Sequence, residues 1–194
     1  QGVKPVFCDI DPRTHNLDAS QLESCLTPQT TGIVGVHLWG QACDTDAIQA
    51  VANKHGLKVM YDASHAFGCS QSGQLLGGRG DAEVFSFHAT KFLNSFEGGC
   101  VATDNDELAE KIRLMRNFGF THYDRTDYLG INGKMHEVSA AMGLVNLESV
   151  DEFIATNKRN YFAYQEQLKD LQGITLLEYD ANEQQNYQYV VAEV

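Results

Sequence analysis

The chain has 194 residues, enough for one sizeable core, or for one domain and the start of another. Its 26 acidic residues outweigh 14 basic ones to give a net charge of −12, and it lacks the basic stripe of a nucleic-acid binder, although an anionic small ligand stays possible. Hydrophobic residues at 43% suit a globular protein, no run of about 18 apolar residues could span a membrane, and a cytoplasmic location is expected.

Residues 3–8 read as a strand. Residues 18–26 read as a short helix that Asp18 is placed to cap. Residues 32–38 are a buried strand. Residues 44–55 form a helix, with Ala47, Ile48, Val51 and Ala52 at helical spacing and Gly56 as its stop. Strands follow at 57–61, 82–87 and 100–103. Asp104 is placed to cap a helix reaching about residue 117, with Glu107 completing a capping box. Strands alternating with helices predict an α/β fold with a mostly parallel central sheet. In such sheets ligands collect beyond the carboxyl ends of the strands.

Residues 118–134, rich in glycine and aromatics, read as a long loop of the kind that carries function. A long amphipathic helix is expected from residue 135 to about 171, with Met135, Val138, Met142, Val145, Phe153 and Ile154 as its apolar stripe. Residues 187–194 read as a strand. Because the sequence opens and closes on strands, it is expected to be a piece of a longer protein. Five cysteines, at 8, 25, 43, 69 and 100, are odd in number and widely spaced with no C-x-x-C. They are expected to be small buried apolar residues in a reducing compartment, not a disulfide framework or a metal site.

Two strand ends carry chemistry. The first is Asp62, closing residues 59–62. Alone it reads as a helix cap or an ion-paired structural residue. The second is the polar turn Ser86-Phe87-His88-Ala89-Thr90-Lys91, followed by Glu97-Gly98-Gly99. A lone lysine there would read as solvated surface. Together the two ends supply what pyridoxal phosphate needs: an amine to bond its aldehyde (Lys91), a carboxylate for its pyridine nitrogen (Asp62) and a hydroxyl for its phosphate (Ser86).

Residues 62–68 (Asp-Ala-Ser-His-Ala-Phe-Gly), 80–91 and 97–99 resemble the DegT/DnrJ/EryC1/StrS sugar aminotransferases, of the aspartate-aminotransferase-like fold type I. Residues 9–12 with 16–18, residues 36–41, and residues 130–135 with Ala140-Ala141 are similar to further segments of that family. The resemblance covers the chain to about residue 170 and implies specific roles. Lys91 bonds pyridoxal 5'-phosphate and is the catalytic residue. Asp62 meets the pyridine nitrogen and Ser86 the phosphate. His65 stands where glutamine is commoner, near the ring and its phenolic oxygen. Asn132 reaches the phosphate of the other subunit, which makes a homodimer with shared sites. Lys134 stands where arginine is commoner and gives up bidentate recognition.

The implied reaction takes an amine from an amino acid, typically glutamate, leaves pyridoxamine 5'-phosphate, and delivers the amine to a nucleotide-linked keto-sugar. The implied domains are residues 1–150, part of the large cofactor-binding domain without its N-terminal portion, and 151–194, the start of a smaller C-terminal α+β domain. The family's Gly/Ser/Thr-rich phosphate loop lies ahead of the motifs present. A dehydratase of the same family would carry histidine in place of Lys91, and a relative that keeps the fold only for binding is the remaining alternative. His37 and Trp39 read as packed strand-end residues that could line the site. Tyr123, Asp124, Arg125 and Tyr128 could touch substrate or stay solvated. His88 reads as structural.

Overall fold

A computed structural model describes residues 2–194. Asp18 is extended, and its carboxylate accepts the Ser20 N–H. That starts a turn of 3-10 helix at Ala19–Gln21, which runs into α1 (Leu22–Cys25). β1 (Gly32–Val36) alternates exposed and buried positions. α2 (Thr45–His55) starts where Asp44 accepts the Ala47 N–H. It ends at Gly56, whose φ of 64° is a left-handed cap that glycine adopts without steric cost. β2 (Lys58–Asp62), the small hairpin β3 (Ser70–Gln71) and β4 (Gln74–Leu75), β5 (Ala82–Ser86) and β6 (Gly99–Ala102) follow. Then come α3 (Asp106–Met115), a hairpin of β7 (Phe120–His122) and β8 (Arg125–Thr126), α4 (Glu137–Leu147) and α5 (Val150–Leu168). β9 (Thr175–Leu176) pairs antiparallel with β10 (Ala192–Glu193).

The central sheet has the order β1-β2-β5-β6, with β1, β2 and β5 parallel and β6 antiparallel to β5. The α/β architecture expected from the alternating pattern is therefore present. Register aligns Val36 with Asp62, Asp62 with Val84, and Ser86 with Gly99. The carboxyl ends of three neighbouring strands thus open on one edge. The core lies between the sheet and α1 and α2, where Leu22, Ile33, Ile48, Ala52, Val59 and Tyr61 are buried. Val34, Val36 and Met60 point to the other face of the sheet and are exposed.

Several elements differ from expectation. Residues 3–8 form no strand: Phe7 is exposed, and the first pairing in this region is an isolated bridge from Ile10 to Leu17. An apolar run becomes a strand only beside another strand. Asn105, not Asp104, caps α3, its side chain accepting the Leu108 N–H. The long helix is two, broken at Glu148 and Ser149. Residues 187–191 run without strand pairing. The loop 118–134 contains the β7–β8 hairpin. Cys43 and Cys69 are buried, and burial pushes both thiols up to about 12, so they act as apolar packing groups. Cys8 and Cys25 are half-buried and Cys100 is exposed, which the expectation of five buried cysteines missed. No helix among the described residues is long and apolar enough to cross a membrane.

Candidate active site

Asp62 ends β2, and its backbone carbonyl accepts the His37 N–H at 2.9 Å. One carboxylate oxygen, Oδ1, accepts the Ser64 N–H at 2.9 Å; Oδ2 has no hydrogen-bond partner among the described residues. That leaves one oxygen of a half-buried carboxylate available to an N–H from a ligand. Ser86 ends β5, and its Oγ accepts the His88 N–H at 3.3 Å, which leaves the hydroxyl proton free to donate.

The turn beyond β5 is held by its own backbone. Lys91 N–H donates to the His88 carbonyl (2.9 Å), and Ser95 N–H to the Phe87 carbonyl (2.9 Å). Asn94 Nδ2 donates to the Lys91 carbonyl at 3.1 Å. His88 is exposed, its Nδ1 accepting the Thr90 N–H, so it serves the turn as expected. Lys91 itself is half-buried, and its Nζ donates to Tyr189 Oη at 3.2 Å.

His65 sits in an aromatic group. Its ring stacks on Trp39 with centroids 5.6 Å apart and tilts against Tyr189 at 4.4 Å. The Trp39 N–H donates to His65 Nδ1 at 3.2 Å, so the ring proton is on Nε2. Trp39 reaches this geometry with φ of 58°, a left-handed backbone that a bulky residue rarely adopts. Burial lowers the His65 pKa, the Lys91 charge lowers it further, and the Asp62 charge opposes both. Lys91, Asp62 and His65, 29 positions apart in sequence at most by residue number, therefore share one electrostatic neighbourhood.

Trp39 thus borders the site, whereas His37 is fully buried away from it. His37 Nδ1 accepts the Cys43 N–H at 3.0 Å and its Nε2–H donates to Glu83 Oε1 at 3.0 Å. Asn132 lies elsewhere. It is exposed, takes the Lys134 ammonium at 2.6 Å and forms an isolated bridge with Asn117. Lys134 Nζ also stands 4.2 Å over the Phe118 ring. Arg125 is paired to Asp127 at 2.8 Å, and Tyr123 is fully exposed.

The sequence reading missed the segment that closes this site. Glu183 accepts Ser70 Oγ–H and the Ser72 N–H, both at 2.5 Å. The buried Asn186 donates to the carbonyls of His65 (2.8 Å) and Phe67 (3.0 Å). Gln188 Oε1 accepts the Phe92 N–H at 3.1 Å. Tyr179 Oη lies 3.0 Å from the Trp39 carbonyl and 2.9 Å from the Tyr189 carbonyl, donating between them. Residues 183–189 are thereby laid over both strand-end turns. No local motif announces them.

The family model for the DegT/DnrJ/EryC1/StrS aminotransferase family matches residues 1–194. A dTDP-4-amino-4,6-dideoxy-D-glucose transaminase from Shigella dysenteriae is 43% identical over 188 residues, covering 97% of this chain and 51% of the relative. A GDP-perosamine synthase from Caulobacter vibrioides is 43% identical over 172 residues, covering 88% and 46%. Among solved structures, DesI crystallised in the presence of its TDP-sugar product superposes with a TM-score of 0.94 at 49% identity, covering all of this chain and 49% of DesI. Helicobacter pylori PseC, an aminotransferase involved in the biosynthesis of pseudoaminic acid, superposes with a TM-score of 0.91 at 30% identity, covering 97% and 52%. The chain spans about half the length of the relatives it matches.

Proposed function

The chain belongs to the DegT/DnrJ/EryC1/StrS aminotransferase family, and from that premise we propose that it carries the cofactor lysine of a pyridoxal-phosphate-dependent aminotransferase acting on nucleotide-linked keto-sugars. The observation that carries the reading is that Asp62 ends β2 while Ser86 and the Lys91 turn end the neighbouring parallel β5, with Tyr189 linking the Lys91 amine to the His65 ring.

The donor set fits the cofactor. Lys91 Nζ is tethered to a neutral hydroxyl and forms no ion pair among the described residues, so it is available to bond an aldehyde. Asp62 Oδ2 can accept a ring N–H, and Ser86 Oγ–H can donate to phosphate. His65 Nε2–H is a donor with a fixed tautomer, suited to a phenolic oxygen. When bound, pyridoxal phosphate supplies an aldehyde and a conjugated ring that accepts electrons. Lys91 Nζ would hold it and would be the group placed to move a proton at the α carbon of the amino donor. Asp62 would accept from the ring nitrogen and favour its protonated form.

Glutamate is the proposed donor, and pyridoxamine phosphate the form that hands the amine to the sugar. Asn132, exposed on the segment after the β7–β8 hairpin, is proposed to reach the cofactor phosphate of a second subunit in a homodimer. Residues 1–150 are proposed as part of the large domain and 151–194 as the start of the small one. The test is to add glutamate to the full-length protein loaded with cofactor. The visible band is expected to disappear with formation of 2-oxoglutarate, and to return when a nucleotide-linked keto-sugar is added. A visible band that no amino acid discharges sinks the aminotransferase reading.

A further inference from the structure

Four of the tyrosine hydroxyls in this fold show how such groups are used. Tyr161 Oη donates to the Leu177 carbonyl, and Tyr179 Oη to the carbonyls of Trp39 and Tyr189. These are structural uses, side chain to backbone. Tyr61 Oη is buried with no partner among the described residues. Tyr189 differs: its hydroxyl meets a side-chain amine, Lys91 Nζ, at 3.2 Å, across 98 positions of sequence.

The ring of Tyr189 is held on several sides. It packs against His65 at 4.4 Å and meets Trp39 edge-on at 5.3 Å. Its carbonyl is fixed by Tyr179. The residue before it, Gln188, takes the N–H of Phe92, the residue after Lys91. Two consecutive residues of the distant segment thus grip two consecutive residues of the lysine turn. The lysine stem is flexible, with several rotatable bonds. A rigid hydroxyl at its tip selects one of the positions that stem could take.

We propose that Tyr189 is a positioning residue: its hydroxyl orients the Lys91 amine for bond formation with an aldehyde, and its ring packs at a tilt against His65. The proposal rests on the cofactor role of Lys91. It adds that the amine is set by the segment at 183–189 as well as by the turn that carries it. A pre-placed nucleophile gains rate in the covalent step and leaves the preceding encounter unchanged.

The experiment uses cofactor-free full-length protein, with pyridoxal phosphate added at increasing concentration and the rise of the visible band followed in time. The limiting rate reads the covalent step, and the half-saturating concentration reads the encounter. Tyr189→Phe keeps the ring and removes the hydroxyl. Its limiting rate is expected to fall about tenfold, the scale of one lost hydrogen bond, with half-saturation within about twofold of wild type. Tyr189→Leu, which removes ring and hydroxyl, is expected to be at least as slow. A Tyr189→Phe protein that matches wild type overturns the proposal. If Tyr189→Leu alone is slow, the ring matters only as packing, which also overturns it. A change confined to half-saturation does the same. A wild-type protein that never develops the band fails at the earlier step, in the cofactor reading itself.

Discussion

His65 is neutral with its proton on Nε2 because Nδ1 is taken by the Trp39 N–H. Burial is the largest cause of its lowered pKa, followed by the Lys91 charge. The unfolded chain, with an ordinary histidine near 6.5, therefore binds more protons than the folded one below that pH. The His65 contribution to stability is complete above pH 6.5 and is lost as pH falls below it. A ring titration followed by NMR is expected to give a midpoint below 6.5, and a midpoint at or above 6.5 would contradict the geometry. The positions of Asp62, Ser86 and Lys91 at strand ends were legible from sequence because each closes or follows a strand, and strand ends are marked by a local change from apolar to polar. Tyr189 and Asn186 gave no such mark. They reach the site through tertiary contact across about a hundred residues, which no window of sequence contains.

The elements explain why the site is open and where it is braced. β1, β2 and β5 run parallel, so their carboxyl ends coincide and the turns after β2 and β5 face one another. α2 holds this arrangement from below through Ile48, which is fully buried. Ile48→Ala is expected to cost about 3 kcal/mol in chemical denaturation, as a large-to-small change in a closed core; a cost under about 1 kcal/mol would mean the core repacks. Glu183 braces the other side. The Ser70 hydroxyl is the largest cause of its lowered pKa, assisted by the N–H groups of Gly73 and Ser72. Its folded value lies below the ordinary 4.5, so the brace is complete above pH 4.5 and is lost as pH falls through the depressed value. Hydrogen exchange at Ser72 and Gly73 is expected to quicken, relative to the α2 amides, in Glu183→Gln at neutral pH. Unchanged protection would remove the brace from the account. The break between α4 and α5 was not legible, because neither Glu148 nor Ser149 is a helix breaker and the apolar stripe continues past them. The strand expected at residues 3–8 failed for the converse reason: the pattern was present and a pairing neighbour was not.

At the scale of the molecule, the α/β sheet was legible from the order of elements, and the lysine turn and aspartate strand end from their residue types taken together. The closing segment and the uncovered face of the sheet, with Val34, Val36 and Met60 exposed, were not, since both are consequences of which elements pack together. The family match accounts for the whole chain, while the chain accounts for about half of each relative. The proposed cofactor chemistry centres on one atom, Lys91 Nζ. Its most direct test is to add pyridoxal phosphate to the full-length protein, trap any covalent bond with borohydride, and locate the added mass by peptide mass spectrometry. The mass is expected on the peptide bearing Lys91 and on no peptide of Lys91→Ala. Label on a different lysine, or none in the wild-type protein, would contradict the account.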